Sequence, residues 1–215
     1  MTGVQTCALP ISGRVGIGWL ADPNTAATYG VLSRGAALPI VAHQVVLVAR
    51  FRSAFTCSQH ALEQLLLAIL VFVAISALVF WSISPWTAWL LGPAFAAAAQ
   101  ANRPELLWLL AQAILWSGVA VNDLANTRFG TARAVLSWTV PALAVSLALG
   151  TATVVWLGIS LASFVHVHGV ALLVFYIAQA SAMRRNGVVL PRVWGFAIVA
   201  YLALIAAAFA MRMYS

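Results

Sequence analysis

Residues 134–183 read AVLSWTVPALAVSLALGTATVVWLGISLASFVHVHGVALLVFYIAQASAM, 50 residues without a single Asp, Glu, Lys or Arg. A membrane-crossing helix needs roughly 20 predominantly apolar residues. The stretch therefore predicts two crossings joined by a tight turn, expected at Gly150-Thr151. The rest of the chain agrees. Of 215 residues, 64% are hydrophobic and 7% charged, with a mean hydropathy of +1.00. Soluble domains carry about 25% charged residues. Composition thus excludes a soluble enzyme, a nucleic-acid binder and a disordered tail. It predicts an all-α, polytopic helical bundle in a membrane. The 11 basic residues are all Arg and outnumber four acidic ones, for a formal charge of +7. Without Lys the chain has no Schiff-base chemistry of the retinal-linked kind.

Val193 to Met211 forms a last span and Ala61 to Ile83 a clear earlier one. Leu106 to Val121 is opened by Pro104-Glu105, which suits a helix N-terminus because proline's missing N–H would be unpaired there and a carboxylate favours that end. Ala36 to Ala49 is interrupted by His43 and Gln44 and reaches spanning length only if it starts near Tyr29. Trp86 to Ala101 is short, bounded by Pro85, and contains Gly92 and Pro93. Arg50 and Arg52, Arg128 and Arg133, and Arg184, Arg185 and Arg192 form three clusters. The positive-inside rule places such clusters on the cytoplasmic side. They share a side only if Trp86 to Ala101 fails to cross, as an interfacial or re-entrant segment. The expectation is about six spans, with Arg103 and Arg212 at the opposite face.

Met1 to Ile11 reads MTGVQTCALPI, like the in-frame translation of a sequencing-library adapter, and such segments are excluded from fold reasoning. The expected organisation is an artefact over residues 1–12, an N-terminal segment over 13–35 whose native start is truncated, and one helical membrane domain over 36–215. Cys7 falls in the excluded stretch. That leaves Cys57, a small residue at the mouth of a span, unable to form an internal disulfide or a CxxC metal site.

The stretch from Arg50 to Ile69, RFRSAFTCSQHALEQLLLAI, carries the most polar chemistry. On one helix Thr56, His60 and Gln64 follow at i, i+4 spacing, as do Gln59 and Glu63. Glu63 is read as the one acidic residue entering an apolar run, where a carboxylate is costly and marks a cavity, a bundle interior or an interface. The segment HALEQLLLAI resembles the second span of the MAPEG family, membrane-associated proteins of eicosanoid and glutathione metabolism. Many bacterial members carry an Asn-x-x-Glu-Gln-type motif there after a basic loop. Here His60 stands in the Asn place, and Glu63 and Gln64 match. The similarity extends faintly through Trp116-Ser-Gly and Arg128-Phe-Gly, covering about residues 36–150. Thr56 replaces the family's Arg one turn earlier. Ala111-Gln112-Ala113 replaces its third-span Gly-Arg and Tyr pattern, and the last two spans exceed its four-span fold.

The resemblance implies a glutathione-dependent transferase or peroxidase, or an inactive relative, in a bacterial inner membrane. It implies glutathione as cosubstrate, bound between subunits of a homotrimer. Arg52, His60, Glu63 and Gln64 would bind it, with Glu63 and His60 bonding its amino and carboxylate groups. Arg128 or Arg133 would stabilise its thiolate, since a nearby cation raises the nucleophilic fraction.

Other residues open other readings. His166 and His168, two apart on a helix, point away from each other and cannot share one metal. Each could ligate haem with a His on another span, such as His43 or His60, as in a membrane electron carrier. Each could equally be a neutral His bonded to a neighbouring helix. Ser137 to Pro141 reads as a proline kink, with Ser137 and Thr139 absorbing freed backbone groups. Ala197, Ala200, Ala203 and Ala207 read as a packing seam. A non-enzymatic membrane protein, a small transporter or a structural subunit, is the alternative from a different class.

Overall fold

The computed structural model describes residues 17–214, so the adapter-like stretch and Cys7 lie outside the described residues. Residues 17–20 are helical, and nine further helices follow: α1 (Pro23–Ala36), α2 (Leu38–Thr56), α3 (Gln59–Ile83), α4 (Ala88–Leu91), α5 (Pro93–Ala101), α6 (Arg103–Phe129), α7 (Ala132–Leu157), α8 (Leu161–Arg185) and α9 (Pro191–Met213). No strand occurs among the described residues. Six helical stretches are long and apolar enough to cross a membrane: α1 with α2, α3, α6, α7, α8 and α9. The chain is an integral membrane helical bundle.

Local chemistry explains the boundaries. Pro104 sits in the first turn of α6 with Glu105 beside it, and Gly130 closes the helix with φ +69°. That left-handed conformation suits glycine, which lacks a Cβ. Between α1 and α2 the chain stays near-helical through Ala37, and Pro39 stands in the first turn of α2, where its missing N–H interrupts the ladder. The 19 residues of α2 extend about 28 Å, close to the roughly 30 Å hydrocarbon core. Helix α1, with exposed Arg34 near its end, continues beyond that length.

The turn inside the charge-free stretch lies at Gly158–Ser160, not at Gly150-Thr151. Gly158 takes φ +92°, and Ser160 and Ser163 form a reciprocal capping box that starts α8. Gly150 remains helical because α8 crowds it: a Cβ there would lie 2.9 Å from Val167 Cγ1. The Thr151 hydroxyl is satisfied within the helix by Leu147 O at 2.9 Å. Pro141 is internal to α7. Ser137 and Thr139 bond the carbonyls of Ala134 and Val135, one turn before the carbonyl of Ser137 that the proline leaves without its usual donor.

The segment between α3 and α6 does not cross the bundle. It comprises a 3-10 turn (Ser84–Trp86), the four-residue α4 and the nine-residue α5, separated by Gly92 at φ +88°. Nine residues extend about 14 Å. The segment's two ends meet, because Trp81 Nε1 donates to Arg103 O and the Arg103 guanidinium lies 4.3 Å from the Trp81 ring centre. Phe95 of α5 packs into the gap left by Gly35 of α1, where any Cβ would collide with its ring. Trp86 and Trp89 stay exposed, as aromatic side chains at a membrane interface do.

The three Arg clusters gather at one end. Arg128 reaches across to the end of α2, Gln59 donates to Val189 O, and Glu63 accepts from the backbone N–H of Arg192. The opposite end holds the Glu105–Arg212 ion pair and Arg103. Helix α6 runs between these ends as the axis of the bundle, buried along nearly its whole length. Helix α9 packs on it through Val193, Ala197, Tyr201 and Ala208. Of the expected alanine seam only Ala197 is buried, while Ala203 and Ala207 face outward. Tyr201 makes the contact in place of the alanine row, its hydroxyl reaching the surface of Gly169, which has no Cβ to obstruct it.

Candidate functional site

Three polar groups are strung along α6. The first lies at the Arg-bearing end. Arg128 donates from Nη1 to Ala54 O at 2.7 Å and from Nη2 to Cys57 O. These carbonyls belong to the last turn of α2, where a helix leaves acceptors unpaired, so Arg128 caps α2 from another helix. Glu63 holds the first turn of α9 in the reciprocal way, accepting from Arg192 N at 2.9 Å. Anionic groups suit helix N-termini and cationic ones C-termini.

This arrangement corrects the single-helix stripe. The helix breaks at Cys57-Ser58, with Ser58 capping α3, so Thr56 belongs to α2 and bonds back to Arg52 O. His60 and Gln64 keep the i, i+4 relation and bond at 3.0 Å, both on an exposed face. Arg52 and Arg133 are exposed as well. Within one chain, Arg128 and Glu63 each hold a helix end, while Arg52, His60, Gln64 and Arg133 face outward.

The second group lies deeper, where α6 meets α8 and α9. Asn122 donates to Gln179 Oε1 at 3.0 Å and accepts from Trp194 Nε1 at 3.1 Å. Gln179 donates in turn to Asp123 Oδ1 at 2.9 Å. Glu63 is therefore not the one acidic residue within a span. Asp123 lies inside α6, which runs eight residues past Val121 to Phe129. Asn122 and Asp123 look like the end of an apolar run in the sequence. They are retained in the helix because α8 and α9 supply their partners. In a bilayer such a satisfied polar cluster acts as an interhelical lock.

The third group occupies the opposite half. Gln112 donates from Nε2 to Val165 O at 2.8 Å, and its Oε1 lies 2.9 Å from His168 Nδ1. An amide oxygen only accepts, so Nδ1 carries the proton. In the neutral ring Nε2 is then a bare acceptor. It is buried and has no hydrogen-bond partner among the described residues; an unpaired buried acceptor costs about 1–3 kcal/mol. His166, two residues earlier, instead packs its ring at a tilt against Trp108, with ring centres 4.3 Å apart. The close approach of α8 to α6 and α9 depends on Gly169, where a Cβ would lie 2.7 Å from Tyr201 Oη and 3.2 Å from Gln112 Nε2.

Two cavities flank this group. One, of about 80 Å³, lies between α7 and α8 against Leu147, Gly150, Val154, Phe164 and His168. The other, of about 50 Å³, lies between α1, α2 and α6 against Tyr29, Ile40, Gln112, Trp116 and His168. His168 is the residue common to both walls. His60 lies at the other end of the bundle, bonded to Gln64, and so is no cross-helix partner for His166 or His168. His43 is buried in α2, its Nδ1 3.3 Å from Ile40 O. Among the described residues no three His, Cys, Asp or Glu side chains gather as a metal site.

Fold and polar pattern together define the class: an α-helical integral membrane protein with a polar axial helix. Comparison with protein-family models, with curated proteins and with solved structures finds no match.

Proposed function

We propose that the chain is a MAPEG-like membrane protein that binds an anionic thiol of the glutathione type at its Arg-bearing end. A second copy of the chain completes the site. The observation carrying this reading is the convergence of the three loops. It brings the seven Arg of the three clusters to the end of the bundle that carries Glu63, beside an outward-facing His60–Gln64 pair. A dense cationic rim draws an anion by long-range attraction. Because Glu63 and Arg128 are engaged within the chain, ligand contacts fall to Arg52, His60, Gln64 and Arg133. Arg133 is the cation free to face a thiolate. By the positive-inside rule this end is cytoplasmic, in a bacterial inner membrane. A structural subunit of a larger membrane complex is the second reading, supported by the long exposed face of α7.

Thermal unfolding of the purified, detergent-solubilised chain with and without millimolar glutathione tests the reading. A ligand at 100 times its Kd stabilises by about 2.7 kcal/mol, so the wild type should shift upward by several degrees. His60→Ala and Arg133→Ala should each reduce the shift while leaving the ligand-free midpoint unchanged. Absence of a wild-type shift overturns the proposal.

A further inference from the structure

We infer that His168 is the anchoring group of an intramembrane binding site for a lipophilic phenol or quinol, whose ring hydroxyl donates to His168 Nε2. Three observations converge on this. His168 is held in one orientation by Gln112, itself fixed by Val165 O. That geometry leaves Nε2 as an acceptor, so the ligand must bring a donor. Nε2 is buried, with no partner among the described residues, in a residue 8% exposed that walls the α7–α8 cavity.

The remaining wall selects the rest of the ligand. Leu147, Val154, Phe164, Val167 and Ala171 are apolar, Gly150 presents no side chain, and the hydroxyls of Ser146 and Thr151 are spent on carbonyls of their own helix. The Phe164 and His168 rings are stacked parallel within 6°, with centres 6.1 Å apart, so the cavity wall is aromatic beside the imidazole and suits an aromatic head. At about 80 Å³ the cavity is smaller than the roughly 150 Å³ apolar cavity that takes up benzene. Its rim residue Thr151 is exposed on the outward face of α7. The hydroxyl-bearing edge of a ring therefore enters, and the rest of the molecule lies among the lipid tails. His168 is seven residues into α8, about 10 Å along the axis. At that depth the ligand arrives from the membrane rather than from water. The site lies in the opposite half of the bundle from Glu63 and Arg133, and it stands whether or not the rim binds a thiol.

The experiment compares two probes of one shape, 4-hexylphenol and its methyl ether 4-hexylanisole, by calorimetric titration of the full chain in detergent. A neutral hydrogen bond contributes enough for roughly a three- to tenfold preference. The wild type should bind the phenol tighter than the ether by that factor, and His168→Leu should bind both equally. Ala171→Leu fills the cavity while leaving His168 in place, and it should weaken both probes. Should His168→Leu fail to fold, the wild-type ratio and Ala171→Leu still decide. Equal affinity of the wild type for phenol and ether overturns the inference. So does binding of neither, which would leave Nε2 to water alone, or phenol binding unchanged in Ala171→Leu.

Discussion

Helices α6 and α7 are neighbours of nearly equal length with opposite fates. Across the most apolar 18 residues of each, 94% are buried in α6 and 6% in α7. Yet α6 carries Glu105, Gln112, Asn122, Asp123 and Arg128, whereas α7 carries Arg133 near its start and no other charge. In water the more polar helix would lie outside. In a bilayer the outside is hydrocarbon, and polar groups find partners only between helices. The contrast teaches that burial in this protein follows the need for hydrogen-bond partners rather than hydrophobicity. Each polar side chain named on α6 meets another helix: Glu105 meets Arg212, Gln112 meets His168, Asn122 meets Gln179 and Trp194, Asp123 meets Gln179, and Arg128 meets the end of α2.

The strongest test places a charge on the apolar helix. Val145 lies near the middle of α7 and is 58% exposed. Val145→Arg should cost about 3 kcal/mol of insertion, read as the inserted fraction in a glycosylation-mapping assay. Unimpaired insertion would mean that this face meets water or protein. Next in size is a steric test of the axial helix. Gly118→Leu drives a Cβ to within 2.7 Å of the buried Tyr176 ring. Overpacking of this kind costs about 1–3 kcal/mol; a loss of at least 1 kcal/mol is expected in denaturant titration. The same glycine-to-leucine change at Gly195 of α9, where a Cβ meets nothing within 4 Å, should be nearly silent.

A smaller loss should follow Asn122→Ala, which strands the Trp194 N–H and Gln179 Oε1 together. About 1–2 kcal/mol is expected, with altered Trp194 fluorescence as an independent sign. On α7, Leu149→Ala at a 65% exposed position should change stability by less than about 0.5 kcal/mol. A cost matching that of Asn122→Ala would identify α7 as a covered interface. The smallest effect lies outside both helices. Asp22 caps α1 through the N–H groups of Asn24 and Thr25, and its bonds to Thr25 hold its carboxyl below the usual 3.8. A depressed folded value means that the cap contributes fully above the unfolded carboxylate range and is lost as pH falls through the folded value. The protection of the Thr25 amide against exchange, taken relative to its intrinsic rate at each pH, should fall only under that acid condition, and in Asp22→Asn that protection should not change with pH.

Much of the architecture was legible along the chain. Crossing number follows from apolar length, and the shared end of the Arg clusters follows from counting crossings between charges; both are one-dimensional quantities. The non-crossing segment was legible for the same reason, since Pro85, Gly92 and Pro93 limit helix length whatever surrounds them. The turn lies at Gly158 rather than at the expected Gly150 because glycine serves two purposes. At Gly158 it permits a positive φ, and at Gly150 it admits Val167 of a neighbouring helix; only packing tells the two apart. The polar partners were hidden by distance along the chain. Gln112 and His168 are 56 residues apart, Asn122 and Gln179 are 57, and Glu63 and Arg192 are 129. Composition and charge order thus define a helical membrane protein with one basic end and, among the described residues, six stretches fit to span, because lipid imposes its length and polarity on each segment separately. Which helix becomes the axis, and which buried atom is left for a ligand, depends on side chains from several segments meeting in space, and no single segment carries that information.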